Sequence, residues 1–439
     1  SVVHEHDIHQ PWIFKETSSV VTGTVFFVNG SDVGIDKNIV GITNAHCVED
    51  NRSGECRVIQ NGTLLGVFQV VRICPSEMLD FAVLVPKPGV VHRWATVPLG
   101  MHPLKTGEPV MIPGYPYDSD SCQCAYGSTS AHGDGYWMQC NVASNFGNSG
   151  GPLIHTKTGR VHGIVTQSPA GSESITEVLP MWVLVSAIKR GSDRSIVRVP
   201  GLDISVSPMC PQLAAHVGAE SSQPGAYVQR SGIKGVREGD ILVKVHGFPV
   251  CNYTGQVHTP MAGIVDIENE ALALQIPMTF SVTLVRKGVK GQFISNVRQS
   301  SPDVVTTIRE VYPMWEPVCN VRFGGAVFVN LNKNMLDEDT ENNDRLKHAW
   351  GTWTNRHEEN QHAVFVSYVA PQQYADDCGL EPFMQLISID NYSIFCIQDL
   401  ISTLLQKKHK RNHTALLKFK DFAMVANTRE FYWNTFPAK

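Results

Sequence analysis

The sequence lacks a strong excess of charge of either sign. Its 439 residues carry a formal net charge of −5, and only 18% of them are charged, whereas about 25% is typical of soluble proteins. Proteins that bind nucleic acids draw much of their affinity from clustered basic side chains. We therefore expect no nucleic-acid partner.

Long apolar runs and closely paired cysteines are also missing. No apolar run approaches the roughly 18 residues that a membrane-spanning helix needs, so no membrane span is predicted. The 11 cysteines are scattered, and Cys122 and Cys124 are too close together for a CxxC motif. We expect no metal ion, and the odd cysteine count favours an intracellular location.

The sequence does contain a succession of short β-type runs. Between residues 19 and 185, runs such as Val20–Val28, Phe81–Val85 and Val161–Thr166 are separated by glycine and proline turns. This spacing is typical of an antiparallel barrel or sandwich. Farther along the chain, Gly232–Leu242 and Gly379–Ile389 share a loose pattern, and each is followed by a turn, which predicts one fold used twice.

Composition also predicts the boundaries between domains. A proline-containing stretch indicates a linker at 301–318, and a polar stretch at 330–360 indicates a solvated insertion. We predict domains at 1–198, 199–300 and 319–439 on either side of that linker.

Three separated segments carry residues suited to nucleophilic catalysis. His46 follows a strand that ends in Thr43, and its imidazole can move protons near neutral pH. Asp80 begins an apolar strand, where a buried carboxylate could fix the tautomer of an imidazole. Either residue alone would carry little weight, since Asp80 could equally be a strand-edge cap. Ser149 has glycines on both sides, which lets the backbone turn tightly.

That tight turn also predicts an oxyanion hole. The backbone N–H groups of Gly147 and Ser149 would converge on a developing negative charge, with Asn148 between them. The chain order of His46, Asp80 and Ser149 is that of chymotrypsin-like proteases. We therefore predict a catalytic triad that forms an acyl-enzyme at Ser149.

These segments resemble the Deg/HtrA serine endopeptidases. The resemblance rests on Thr43–His46, Asp80–Leu84 and Gly147–Pro152, and it extends to Gly232–Leu242 in a PDZ-like region. It implies a mainly β fold, with a chymotrypsin-like double β-barrel followed by two α+β PDZ-like domains, as in the plant-type Deg subgroup. It also implies an ATP-independent serine endopeptidase that cleaves unfolded or misfolded polypeptides without a cofactor.

The resemblance also implies residues for binding and assembly. Ile164, Val165 and Thr166 occupy the position of the primary specificity pocket and bring no acid, so small or medium apolar P1 residues are expected. The loop Gly201-Leu202-Asp203-Ile204 would be the carboxylate-binding loop of the first PDZ domain, and its acidic residue disfavours peptide capture.

The sequence leaves two further questions open. Trp12 and Phe14 could pack on the barrel or anchor a subunit contact, because the family forms trimers or multiples of trimers. The whole chain could also be a PDZ-bearing binding or chaperone-like scaffold with a vestigial protease site. The intact triad residues favour the enzyme.

Overall fold

A computed structural model describes residues 2–6, 14–76, 79–90, 94–132, 136–167, 175–190, 195–199, 201–217, 224–299, 310–332, 334–335, 363–408, 413–420 and 422–436. The chain divides into two units, the first mainly Ser19–Val304 and the second mainly Val305–Lys439. Strands dominate both units, so the predicted mainly β class is confirmed. Among the described residues, no helix has both the length and the apolar composition needed to cross a membrane.

The first unit begins with an antiparallel sheet that carries two of the predicted triad residues. Strands β1 (Val2–His6) and β2 (Phe14–Val20) precede it and pair with each other. The sheet has the order β3-β4-β7-β6-β5. Its elements are β3 (Phe26–Asn29), α1 (Gly30–Val33), β4 (Ile39–Thr43), β5 (Glu55–Gln60), β6 (Thr63–Cys74) and β7 (Phe81–Pro86). Strands β4 and β7 pair directly, which brings their ends together.

A closed six-stranded barrel follows and carries Ser149. Its elements are β8 (Pro109–Gly114), a 3₁₀ turn (Pro116–Asp118), β9 (Gln123–His132), β10 (Met138–Cys140), β11 (Pro152–His155), β12 (Arg160–Gln167) and β13 (Thr176–Pro180). The strand order around the barrel is β10-β13-β12-β11-β8-β9. Alternating apolar residues such as Ile112, Leu153 and Val178 fill its interior. Together with the preceding sheet, this barrel gives the predicted chymotrypsin-like fold, in which the first five-stranded sheet is open and the second is a closed barrel.

A third sheet completes the first unit and packs against the two preceding sheets through helix α2 (Met181–Arg190). Its order is β14-β15-β16-β20-β21. The elements are β14 (Ile204–Ser207), α3 (Pro211–Val217), β15 (Ala226–Ser231), β16 (Ile241–Val245), β17 (Phe248–Pro249), β18 (Val257–Thr259), β19 (Gly263–Val265), α4 (Glu270–Gln275), β20 (Thr279–Val285) and β21 (Gln292–Arg298). One hydrophobic core therefore continues across the predicted boundary at 198/199.

The second unit is an eight-stranded sheet with its own core. Its elements are β22 (Val318–Phe323), β23 (Ala326–Asn330), β24 (Val364–Val369), α5 (Tyr374–Asp377), β25 (Gln385–Ile389), β26 (Tyr392–Ser393), α6 (Ile397–Lys408), β27 (Thr414–Phe419), β28 (Ala423–Asn427) and β29 (Tyr432–Phe436). Its main order is β28-β27-β25-β24-β23-β22-β29, and β26 pairs with β25.

The two sheets predicted to share one fold contain matching hairpins. Val245 pairs with Phe248 in the first, and Ile389 pairs with Tyr392 in the second. The residue after each first partner, His246 and Asp390, has a φ of 47° and 49°, respectively. The same left-handed turn therefore recurs at the positions that the sequence pattern aligns.

The predicted linker and insertion are only partly described. Within 301–318, residues 301–309 lie outside the described residues, whereas Met314 and Trp315 are buried. Within 330–360, residues 336–360 lie outside the described residues, and Leu331 and Met335 are buried. The described part of each stretch is therefore packed, because its apolar side chains have a core to enter.

Candidate active site

The imidazole of His46 and the carboxylate of Asp80 are in direct contact. His46 Nδ1 lies 2.7 Å from Asp80 Oδ2, and the backbone N–H of His46 donates to Asp80 Oδ1 at 2.9 Å. The pairing of β4 with β7 produces this geometry, because each residue lies just beyond the paired segment of its strand. One carboxylate thus holds both the ring and the backbone of His46.

Asp80 is held in an unusual backbone conformation. Its φ is +27°, outside the regions that non-glycine residues normally adopt. The side-chain amide of buried Asn44 donates to the Asp80 carbonyl at 2.9 Å, and Asp80 itself is only 7% exposed. Strain of this kind persists when the surrounding contacts determine the conformation. Asn44, whose separate role has no signal in the sequence, therefore helps to fix the carboxylate.

The environment of His46 favours its protonated form. Burial acts to lower the pKa of the imidazole, but contacts with the Asp80 carboxylate and the Cys47 sulfur outweigh burial and raise the pKa from 6.5 to about 10. Proton acceptance requires the neutral ring. The raised pKa therefore opposes proton acceptance by His46 in the absence of substrate.

Ser149 lies beside this pair without a hydrogen bond to it. The backbone carbonyl of Ser149 accepts from Thr24 N at 2.8 Å and lies 3.9 Å from Cys47 Sγ, next to His46. The Ser149 hydroxyl forms no hydrogen bond with any described residue. Catalytic hydrogen bonds are often long or poorly aligned without substrate. The three predicted triad residues are thus neighbours, with the His46–Ser149 link open.

Two glycines beside Ser149 cannot be replaced without a clash. Gly147 has a φ of +97°, and a Cβ there would lie 2.2 Å from the Tyr115 carbonyl oxygen. Gly150 has a φ of +82°, and a Cβ there would lie 2.2 Å from Thr43 Oγ1. Both the left-handed conformation and the close approach of backbone require glycine.

The backbone around Ser149 leaves two N–H groups available. The carbonyls of Phe146, Gly147 and Asn148 accept, respectively, from Tyr117 N, Thr24 Oγ1 and Gly151 N. Within the described part of the chain, neither Gly147 N nor Ser149 N donates to any acceptor. Asn148 N, by contrast, donates to the Asn145 carbonyl at 3.0 Å. Of the three residues predicted to form an oxyanion hole, only Gly147 and Ser149 therefore have unengaged N–H groups.

The predicted specificity residues point mostly into the protein. Ile164 is fully buried in the core that spans the first unit, and Val165 is buried in the interior of the closed barrel. Thr166 is 7% exposed, and its hydroxyl donates to the Ile164 carbonyl. The side chains of Ile164 and Val165 therefore do not form a substrate surface in this structure, because they fill the space between strands.

The predicted PDZ loop contains its own acid–base pair. Leu202 and Ile204 are buried, whereas Asp203 has a φ of +47° and its carboxylate lies 3.3 Å from Arg230 Nη2. The Asp203 carbonyl also accepts from Gly232 N at 2.9 Å. The strand that follows Gly201 and this loop, β14, lies at the edge of its sheet. The carboxylate of Asp203 is thus already paired with Arg230, the basic side chain at this loop.

Two contacts to the Ser149 loop have no signal in the sequence. Tyr117 has a φ of +52°, its hydroxyl donates to Asn145 Oδ1 at 3.0 Å, and its N–H donates to Phe146. Thr24 contacts the same loop from the start of the first sheet. Both residues come close only through the tertiary fold, so sequence spacing could not identify them.

Among the described residues, no group of three His, Cys, Asp or Glu side chains is arranged to hold a metal ion.

Part of the chain is similar to known proteins. Residues 22–164 match the trypsin-like peptidase domain family. The chain is 24% identical over 354 residues to a putative Do-like protease 3, mitochondrial, of Arabidopsis thaliana, which covers 75% of this chain and 58% of that protein. It is 26% identical over 239 residues to a probable periplasmic DegP-like serine endoprotease of Bartonella henselae, and the match covers 51% of this chain and 45% of that protein.

A solved structure of the HtrA-type protease AlgW with a decapeptide is similar at 20% identity, with a TM-score of 0.44 over 66% of this chain and 85% of that one. The chain spans 58% and 45% of the lengths of the two curated relatives. The expected relationship is confirmed by the family match and the curated relatives. The chain is similar to Deg/HtrA-type proteases, and the segment that matches the trypsin-like peptidase domain family contains His46, Asp80 and Ser149.

Proposed function

We propose that this protein is a serine endopeptidase that uses His46, Asp80 and Ser149 as a catalytic triad. The observation that carries the proposal is the 2.7 Å contact of His46 Nδ1 with Asp80 beside a serine whose flanking N–H groups are unengaged. A nucleophile, a base, an orienting carboxylate and oxyanion donors are the parts that acyl transfer requires.

The proposed reaction proceeds through an acyl-enzyme. Neutral His46 takes the proton of the Ser149 hydroxyl through Nε2 while the oxygen attacks the scissile carbonyl. The N–H groups of Gly147 and Ser149 stabilise the oxyanion, and His46 returns the proton to the leaving amine. Water then attacks the ester by the same route, and Asp80 stabilises the imidazolium throughout.

The substrates that this chemistry fits are polypeptides, including unfolded or misfolded chains. We propose a preference for small or medium apolar P1 residues, as the family resemblance implies; the buried side chains of Ile164 and Val165 do not themselves supply it. The sheets at 199–300 and 319–439 act as PDZ-like regulatory or assembly domains, and the chain works as a homo-oligomer, a trimer or a multiple of trimers. The Asp203–Arg230 contact supports a first PDZ-like domain that does not capture peptide carboxylates.

The decisive experiment is labelling with a fluorophosphonate, which reacts with an activated serine. Wild-type protein should be labelled stoichiometrically at Ser149 and should cleave casein, whereas Ser149→Ala should do neither while keeping its circular dichroism spectrum. Triad removal costs on the order of 10⁶-fold in rate. Equal casein cleavage by wild type and Ser149→Ala would contradict the proposal, and an unlabelled wild-type protein at any pH would favour the scaffold with a vestigial site.

A further inference from the structure

The buried side chain of Thr24 connects three segments of the proposed active site. Its hydroxyl Oγ1 donates to the Gly147 carbonyl at 2.7 Å, and the same oxygen accepts from Tyr115 N at 3.2 Å. Its backbone N–H donates to the Ser149 carbonyl at 2.8 Å, and its carbonyl accepts from Thr43 Oγ1 at 2.8 Å. Thr24 is only 4% exposed, so these bonds are shielded from water.

The direction of the hydroxyl proton is fixed by its surroundings. A threonine hydroxyl has one proton and two lone pairs. Tyr115 N can only donate to Oγ1, and the Gly147 carbonyl can only accept from it. The single hydroxyl proton is therefore committed to Gly147, so a side chain without a hydroxyl at this position would leave both backbone groups without this partner.

The bond to Gly147 holds the peptide plane between the two proposed oxyanion donors. That plane joins Gly147 to Asn148, and its other end is fixed by the bond from Asn148 N to the Asn145 carbonyl at 3.0 Å. A peptide unit is rigid, so rotation of this plane changes ψ of Gly147 and φ of Asn148 together. Glycine resists such rotation least, because it has no Cβ. A fixed plane therefore constrains the orientations of the N–H groups on either side of it, those of Gly147 and Ser149.

We propose that Thr24 is a positioning residue that keeps the oxyanion donors oriented through its hydroxyl bond to Gly147. The inference rests on the proposed function, because it concerns the oxyanion of the proposed reaction. In the proposed reaction, Thr24 does not touch the reacting atoms. It acts through the loop that does, and it links that loop to the segment at Tyr115 and to the first sheet at Thr43.

The test compares three substitutions of similar size. Thr24→Val removes the hydroxyl and keeps the shape, Thr24→Ser keeps the hydroxyl, and Thr176→Val is the matched control. Thr176, in the closed barrel, is likewise buried, and its hydroxyl donates to a backbone carbonyl, that of Val142, at 2.6 Å. The readouts are kcat and KM on a peptide substrate, the rate of fluorophosphonate labelling, and the thermal unfolding midpoint.

We expect Thr24→Val to lower kcat and the labelling rate by about 10²-fold, the lower end of the effect of losing one oxyanion donor, with KM changed less than threefold. Thr24→Ser should restore kcat to within about tenfold of wild type. Thr176→Val should lower the unfolding midpoint as Thr24→Val does, without the loss of kcat.

Four results would overturn the inference. An active wild type with an unchanged kcat in Thr24→Val would remove the role of the hydroxyl and leave the proposed function intact. Equal kcat losses in Thr24→Val and Thr176→Val, or no rescue by Thr24→Ser, would assign the effect to general stability. An inactive wild type would overturn the proposed function, and the role of Thr24 in it as well.

Discussion

The charge of the His46 side chain sets the pH at which the proposed triad can work. Its pKa is raised from 6.5 to about 10, because contacts with Asp80 and Cys47 outweigh the effect of burial. We expect kcat/KM to rise with pH, since only the neutral ring accepts the serine proton. The apparent pKa of this rise should lie between 6.5 and about 10. A pH–rate profile on a peptide substrate checks this, and a limb at or below 6.5 would contradict it.

The same shift predicts how stability depends on pH. A folded-state pKa above the unfolded value means that protonated His46 stabilises the fold fully below about pH 6.5. This contribution is lost as the pH rises toward 10. Asp80→Asn should remove much of it, so the difference in unfolding midpoint between wild type and Asp80→Asn should shrink over that range.

The Asp80→Asn variant should also lose activity. Its kcat should fall by about 10⁴, because an amide favours the wrong imidazole tautomer.

Among the elements, the turn that joins Ser149 to β11 is restricted by the strand ends packed against it. Besides its contact with Thr43, a Cβ on Gly150 would lie 2.4 Å from the Thr24 carbonyl oxygen. We expect Gly150→Ala to abolish peptidase activity and to lower the free energy of unfolding by more than the roughly 1–2 kcal/mol that a left-handed alanine costs. Urea denaturation and casein cleavage measure the two effects.

Gly159→Ala is the control for that substitution. Gly159 lies in the turn between β11 and β12 with a φ of +65°, and a Cβ there would meet nothing within 4 Å. It should therefore show the backbone cost alone and keep its activity. Equal losses in both variants would mean that the approach of Thr24 and Thr43 to Gly150 is unimportant.

At the scale of the molecule, the first unit is continuous from the first sheet and the closed barrel to the sheet that follows them. Arg190, at the end of α2, donates to the carbonyls of Ala273 and Ile276 beside α4. We expect Arg190→Ala to lower the free energy of unfolding by about 1.5–3 kcal/mol, as for hydrogen bonds from charged groups. Lys189, the neighbouring residue, is exposed, so Lys189→Ala should change the free energy of unfolding little. Urea denaturation followed by tryptophan fluorescence measures both, and equal effects would contradict the role of Arg190.

Assembly is the second prediction at this scale. Trp12 lies outside the described residues, and Phe14 begins β2. If these aromatic residues anchor a threefold contact, full burial would contribute roughly 1.5–3 kcal/mol per side chain. The double variant Trp12→Ala and Phe14→Ala should then elute as a smaller species in chromatography with light scattering, and it should lose peptidase activity. A wild type that is monomeric and fully active would contradict the proposed oligomer.

The sequence by itself determined the fold class and the three triad candidates, because short alternating strands and glycine-flanked Ser149 are local patterns. It also identified Gly147 as an oxyanion donor candidate. Only the tertiary structure decided which groups meet: the left-handed Asp80 held by Asn44, the burial of Ile164 and Val165, and the hydroxyl bond from Thr24. Thr24 and Gly147 are 123 residues apart. Sequence periodicity cannot predict contacts over that separation, because strand pairing and core packing produce them together.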